Sequence, residues 1–360
     1  MAEHTRAQPP PRGRGATDNP TGRFEPLQVE TVDDGWETPP DEAPLRTRFF
    51  HDTTRDALAR NDSPDLGFDY SVNPYRGCEH GCSYCYARPS HEYLGLSAGL
   101  DFESRIMVKT EAAARLAERF RSPRWQPQMI MLSGNTDCYQ PVERRLGITR
   151  ACLEVCLDFR HPVGVITKNA LILRDLDLLA ALAREGLVAV TISVTSLDAH
   201  LARTMEPRAS APHKRLEAIA RLAEAGIPVT VNAASVIPAL NDHELPAILR
   251  EAAQRGARGA GYILLRLPHG VKELFVEWLA THFPARKDKV LGAIRESRDG
   301  RLNDPAFGSR MKGRGPRATA VKELFHLHCR RLGLDTTPPV LNTGAFRRPA
   351  PESPQLALPI

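Results

Sequence analysis

From residue 68 to about residue 283 the chain alternates two apolar patterns. One is a short unbroken run rich in β-branched residues, which suits a strand buried on both faces. Such runs occupy residues 68–72 (FDYSV), 128–134 (QMIMLSG), 163–167 (VGVIT), 187–194 (LVAVTISV), 228–234 (PVTVNAA) and 261–267 (GYILLRL). The other is an amphipathic stretch with apolar positions three and four apart: TEAAARLAERF, ITRACLEVCLDF, DLDLLAALARE, HKRLEAIARLAEA, ELPAILREAAQR and KELFVEWLATHF. Gly186, Gly226 and Gly256 stand where three of these helices should end, and Asp242 stands where it would cap the fifth. Strict strand–helix alternation implies a parallel sheet with right-handed crossovers. Six units are fewer than the eight of a closed barrel. The expected fold is therefore α/β, a partial (β/α)6 barrel with its active loops at the C-terminal ends of the strands. Residues 104–109 (SRIMVK) also read as extended but have no place in this alternation.

The flanks read differently. Residues 1–45, with QPPPRGRGATDNPTGR and DDGWETPPDEAP, are too rich in Pro, Gly and charge to bury a core and predict a disordered tail. Residues 46–284 make the core with a polar lead-in, and 285–360 a C-terminal extension with two further helical stretches, PARKDKVLGAIRESR and RATAVKELFHLHCRR. At 360 residues and 42% hydrophobic content the chain can bury a sizeable core. No apolar run approaches the ~18 residues of a membrane span, and the N-terminus lacks a secretory pattern. Seven cysteines with one tight cluster then point to a reducing, cytoplasmic setting. The net charge is only +5, but residues 286–331 hold thirteen Lys/Arg against five Asp/Glu, a net of +8. That segment would attract a nucleic-acid backbone; a plain solvated face accounts for it equally well.

Cys78, Cys82 and Cys85 lie within eight residues, and the next cysteine, Cys138, is far downstream. A structural zinc site is normally closed by four ligands, so three thiols leave one coordination position open for chemistry. The cluster follows the first strand, at the end where such folds keep their sites. Cys152 and Cys156, four apart on an apolar helix face, read as core, and Cys329 is isolated.

The spacing C-x3-C-x2-C, with Tyr84 before the last cysteine, resembles the radical S-adenosylmethionine (radical SAM) superfamily. The stretches NPYRGCEHGCSYCYARPSHEY, SGNTDCYQPVERRL, ITKN, ISVTSLD, SVIPALND and NTGAFRRP extend the resemblance over about residues 46–345. They are similar to the spore photoproduct lyase-related branch, closest to a bacterial group without an assigned substrate. The resemblance implies a radical SAM-type partial barrel and a 4Fe-4S cluster held by Cys78, Cys82 and Cys85. It also implies S-adenosylmethionine on the fourth iron, cleaved by one electron to methionine and a 5′-deoxyadenosyl radical. It implies Lys168 as partner of the S-adenosylmethionine carboxylate and Ser193 as a hydrogen-bonding neighbour. Asn135, Thr136 and Asp137 take the place of the segment receiving the methionine amino group, and Tyr84 with the Val236–Ile237 backbone would flank the adenine. Each has a structural alternative: Lys168 as an exposed lysine, Ser193 as a strand serine, Tyr84 as a shield over the cluster. Cys138 stands where that lyase has a hydrogen-donating cysteine, though its flanking residues differ and favour a small packed side chain. An electron donor such as flavodoxin or ferredoxin is implied as a partner. Nucleic acid, a peptide or small metabolite, and a non-catalytic metal-binding role remain as alternative readings.

Overall fold

The computed structural model describes residues 13–16, 18–20, 22–24 and 45–349. The remainder of the expected tail over 1–45, and residues 350–360 of the extension, lie outside the described residues. The strands are β1 (Arg48–His51), β2 (Leu58–Arg60), β3 (Tyr70–Val72), β4 (Tyr75–Arg76), β5 (Arg105–Val108), β6 (Ile130–Leu132), β7 (Val163–Thr167), β8 (Val188–Ser193), β9 (Val229–Val236) and β10 (Gly259–Leu264). The helices are α1 (Leu100–Ser104), α2 (Ala112–Arg121), α3 (Glu143–Leu146), α4 (Ile148–Asp158), α5 (Leu176–Arg184), α6 (Ala199–Met205), α7 (Pro212–Glu224), α8 (Leu245–Gln254), α9 (Val271–His282), α10 (Lys287–Glu296) and α11 (Gly315–Leu332).

The large sheet runs β10-β9-β8-β7-β6-β3-β2. Its six parallel strands are the six apolar runs of the sequence, and β2 adds an antiparallel edge on β3. Each parallel strand lies beside its predecessor with no reversal of order. Crossovers of one hand then place the helices on one face, so the sheet curls around its other face as a partial barrel. Val163, Val165, Val188, Val190, Val229 and Val231 are all buried, as strands covered on both faces require. Gly186, Gly226 and Gly256 end helices with φ of 69°, 76° and 89°. Asp242 does not cap α8: it opens a single 3-10 turn, Asp242–Glu244, and α8 starts at Leu245. The Glu244 carboxylate instead accepts from Ser196 Oγ (2.7 Å) and Leu197 N (2.6 Å). SRIMVK is β5, paired with β1 and β4 in a separate small sheet. Its partners come from the lead-in and from the residues just before Cys78.

The C-terminal extension covers the β10 edge. Asp335 N donates to Arg258 O (2.9 Å), Ala260 N to Asp335 O (2.8 Å) and Leu264 N to Met311 O (2.9 Å). Buried Arg298 donates to the carbonyls of Leu265 (2.6 Å), Arg310 (2.8 Å) and Leu264 (3.2 Å). Arg310 pairs with Asp65 (2.5 Å), and Lys312 Nζ donates to Tyr262 O (2.9 Å) over the Tyr262 ring. Three of the thirteen cations in the basic segment, Arg298, Arg310 and Lys312, thus help to hold the extension to an edge that would otherwise stay unpaired.

At the other end, part of the Pro/Gly-rich tail is tied down. Arg14 donates to Glu103 O (2.7 Å) and Leu45 O (2.9 Å), and the Gly15 and Ala16 amides donate to the Glu103 carboxylate (2.9 Å each). Ala16 is the one apolar side chain the stretch buries here, so composition gives no sign of this anchor. It depends on a carboxylate that only the fold brings within reach. Among the described residues no helix is long and apolar enough to cross a membrane.

Candidate active site

The cysteine loop follows β3 and β4 at the C-terminal end of the sheet. Two glycines let it turn: Gly77 (φ 82°) has no room for a side chain, since a Cβ would lie 2.9 Å from Phe102 O, and Gly81 (φ 66°) packs against Glu103. Cys78 N donates to Phe102 O (2.9 Å), Cys85 N to Cys82 O (3.2 Å) and Arg88 N to Cys85 O (3.3 Å). The fully buried Arg88 pairs with Glu103 (2.5 Å) and donates to Cys82 O (2.9 Å), stapling the loop to α1. Cys78 and Cys82 are buried and Cys85 is half-buried. Burial, then Glu206 and the neighbouring thiols, push the Cys82 thiol well up, against the pull of Lys168; burial and Cys78 hold Cys85 at about 11. Cys82 and Cys85 therefore sense the neighbouring thiols and the Lys168 cation. A cluster binds thiolates, so loading one displaces the protons that these two thiols carry.

Beneath the loop is a network that the sequence did not announce. Lys168, just after β7, directs its ammonium to Glu206 Oε1 (3.1 Å), Ala234 O (3.0 Å) and Thr195 Oγ1 (3.2 Å), at 5.8 Å from the Tyr84 ring centre. Glu206 is fully buried, and also takes Arg215, the Tyr84 hydroxyl and the Thr195 hydroxyl (2.6 Å). Burial alone would raise its carboxyl, but Arg215 and Lys168 hold it well below the usual carboxylate range. Two cations on one carboxylate leave the cluster of charges net positive. Lys168 is thus a half-buried member of a triad whose other two members, Glu206 and Arg215, are fully buried, and not an exposed helix-start lysine.

The other sequence candidates separate. Asp137 ties three loops together: its oxygens accept from Thr167 Oγ1 (2.7 Å), Lys168 N (2.8 Å) and Tyr139 N (2.9 Å), with His80 Nδ1 at 3.3 Å. Burial disfavours charge on His80, but Asp137 and Cys78 outweigh it and hold the imidazole up at about 10. The Asn135 and Thr136 amides turn toward Asn73 Oδ1 (2.7 and 3.4 Å). Ser193 is buried at the end of β8, its carbonyl accepting from Arg215 (3.2 Å). Ile237 shares an apolar cluster with Cys82 and Tyr84, yet its amide donates to Asn241 Oδ1 (2.6 Å) and Val236 O accepts from Leu265 N (2.9 Å). That backbone is satisfied within the protein, and side chains are what it offers a neighbour. Cys138 is fully buried in the main core, apart from the cluster of Cys82 and Tyr84. Its amide donates to Ser133 Oγ (2.6 Å), and burial pushes its thiol up. Its surroundings are those of a packed side chain.

Thr195 was legible only as part of ISVTSLD, Glu206 lies in the polar connection TMEPRASAP, and Arg215 reads as one more basic residue at the start of the helix HKRLEAIARLAEA. Arg266 carried no signal in the sequence, whereas Tyr86, with Tyr84 and Tyr93, reads there as an aromatic shield over the cluster. The Tyr86 hydroxyl donates to Gly134 O (2.7 Å), and the Arg266 guanidinium stacks 5.3 Å from its ring.

Three soft thiols on one stapled turn, lined by Tyr84, Leu201, Met205 and Leu265, suit an iron–sulfur cluster. Among the described residues no three His, Cys, Asp or Glu side chains converge as ligands of a single ion. In a four-iron cluster each thiolate holds a different iron, so such convergence is not required.

Residues 72–252 match the family model described as "Radical SAM superfamily". Uncharacterized proteins of Mycobacterium bovis and Mycobacterium tuberculosis are 37% identical over 221 residues, covering 61% of this chain and 65% of theirs. An uncharacterized protein of Methanocaldococcus jannaschii is 28% identical over 178 residues, 49% of this chain and 64% of its own. The matched region thus spans just under two thirds of these relatives. Among solved structures, a spore photoproduct lyase mutant with bound AdoMet and dinucleoside spore photoproduct superposes with a TM-score of 0.58 over 80% of each chain, at 16% identity. That likeness establishes the shared fold. With the family match over half of its length and three cysteines on the loop after the first parallel strand, the chain belongs to the radical SAM superfamily.

Proposed function

We propose that this protein is a radical SAM enzyme that holds one 4Fe-4S cluster on Cys78, Cys82 and Cys85, binds S-adenosylmethionine beside it and acts on nucleic acid. The observation that carries the reading is the rigid three-thiol turn facing the Lys168–Glu206–Arg215 network. When bound and reduced, the cluster supplies one electron to the sulfonium of S-adenosylmethionine. The protein's part is positional. Arg88 and Glu103 fix the turn, and the apolar wall of Leu201, Met205, Ile237 and Leu265 excludes water. The positive excess on Lys168 and Arg215 favours an anionic group such as the cosubstrate carboxylate. Lys168 already has three acceptors, so it would serve by exchanging one of them. Cys138 takes a packing role in this reading. A flavodoxin or ferredoxin would deliver the electron.

Nucleic acid as substrate is supported by the fold shared with a lyase crystallised with a dinucleoside photoproduct and by the positive net charge. A peptide or small metabolite is the second reading. It is favoured by the internal engagement of Arg298, Arg310 and Lys312, which takes those cations away from a phosphate backbone. The test is anaerobic reconstitution with iron and sulfide, reduction, and assay of 5′-deoxyadenosine from S-adenosylmethionine with and without ultraviolet-irradiated oligonucleotide. Release without substrate supports the enzyme, and stimulation by oligonucleotide supports the substrate class. No release from a fully loaded cluster would leave a non-catalytic metal-binding protein.

A further inference from the structure

A second concentration of cations lies away from the extension. Beside the cysteine loop is an open cavity of about 600 Å³ walled by Arg14, Arg46, Arg144, Arg145 and Arg208, with Phe49 at its side. Its one acidic lining residue, Glu79, is buried, with its oxygens on Val142 N (2.7 Å) and Arg208 (3.0 Å). Its ion pair is with Arg208. Arg14 donates only to carbonyl and hydroxyl oxygens, and burial and the charge of Arg208 press its protonated form harder than Glu103 and Glu79 favour it. Among the described residues no carboxylate pairs with Arg46, Arg144 or Arg145, and Arg145 lies 5.3 Å from the centre of the Phe49 ring, itself 38% exposed.

We propose that this arginine cavity is a binding site for phosphate groups carrying a nucleobase. Several guanidinium groups facing one concavity repel each other until an anion enters, and their planar forks match phosphate oxygens. Phe49 adds an aromatic surface on which a base can stack, the usual companion of a basic groove in single-strand binding. The site is separate from the cluster face. Gly15 lies between them, so close that a Cβ would sit 1.8 Å from Gly81 O. Glu79 nevertheless adjoins Cys78, so a strand held here would pass along the rim of the cysteine loop. The inference rests on the nucleic-acid reading only for the source of the phosphate.

The test is anisotropy of a fluorescein-labelled single-stranded 12-mer titrated with the full chain. Arg144→Ala/Arg145→Ala removes two exposed side chains without hydrogen-bond partners among the described residues, and Arg286→Ala/Lys289→Ala removes the same charge from the C-terminal extension. The first pair should weaken binding at least tenfold at low salt and flatten the log–log salt dependence by about 1.4, roughly 0.7 per lost single-strand contact. The second pair should change neither. Phe49→Leu should weaken the 12-mer while leaving competition by inorganic phosphate unchanged. Competition by ATP, weakened by the same arginine pair, would identify a free nucleotide as the source; binding of the 12-mer alone would identify a strand. Equal effects of the two charge pairs, no effect of the first, or displacement by polyglutamate as effective as by unlabelled 12-mer would overturn the proposal. Release of 5′-deoxyadenosine without substrate reads the radical SAM assignment separately and should be untouched by any of these variants.

Discussion

His161 stacks on Phe120, with ring centres 3.9 Å apart, and accepts the Trp125 indole N–H (3.1 Å) in the main core. Burial lowers its imidazole to about 3. The unfolded chain, with an ordinary histidine near 6.5, therefore takes up a proton first as pH falls. Stability from this residue is complete above about pH 6.5 and is lost toward pH 3, at about 1.4 kcal/mol per pH unit. Urea unfolding at pH 7 and pH 5 should show His161→Gln losing up to ~2 kcal/mol less than the parent over that interval. At the site, Cys78→Ala, Cys82→Ala and Cys85→Ala should each abolish the iron–sulfur chromophore on reconstitution. Cys152→Ala and Cys156→Ala should retain it, because those thiols are packed in the core. Glu206→Gln leaves Lys168 and Arg215 without their shared buried carboxylate, and thermal denaturation should show a loss of roughly 3–5 kcal/mol. Lys168→Met keeps the Arg215 pair. It should weaken S-adenosylmethionine at least tenfold in equilibrium dialysis if its ammonium meets the cosubstrate, and leave affinity unchanged if it serves Glu206 alone.

Among the elements, the N-terminal strap and the C-terminal extension were the least legible. The strap continues past Ala16: Asp18 O accepts from Leu100 N (3.0 Å), Pro20 O from Ser97 Oγ (2.7 Å), and Arg23 pairs with Glu92 (2.6 Å). Gly15→Ala cannot be accommodated against Gly81 and should lift it. Trypsin cleavage at Arg14 and Arg23 should accelerate, and the thiols of the metal-free loop should react faster with a thiol reagent. In the extension, Arg310, Lys312 and Arg314 belong to the segment whose charge would attract a nucleic-acid backbone, so replacing all three by alanine tests that reading. In the fold, Arg310 holds Asp65 and Lys312 holds the Tyr262 carbonyl, so the first effect should be loss of the β10 edge. A lower melting temperature, greater than for Arg286→Ala/Lys289→Ala, would show it. Both segments owe their positions to polar partners distant in sequence, which no periodicity marks.

For the whole molecule, the six parallel strands and their order follow from hydrophobic pattern and the handedness of crossovers, which act locally and repeat. The cysteine motif was equally legible, because its three ligands lie on one short loop whose spacing is itself the signal. The charge balance left two readings open. A net of +8 over 286–331 is a property of sequence, whereas availability of those cations depends on which carbonyls and carboxylates they meet. The sequence by itself determined the partial barrel, the thiol cluster and the end of the sheet where chemistry belongs. Tertiary structure alone decided that Glu206 and Arg215 join Lys168, that Cys138 packs in the core, and that uncompensated arginines gather beside Phe49. Local pattern encodes which face of an element is buried. Pairing between charges, whether nine residues apart as in Glu206 and Arg215 or 245 as in Asp65 and Arg310, is set only once the sheet has curled and brought its loops together.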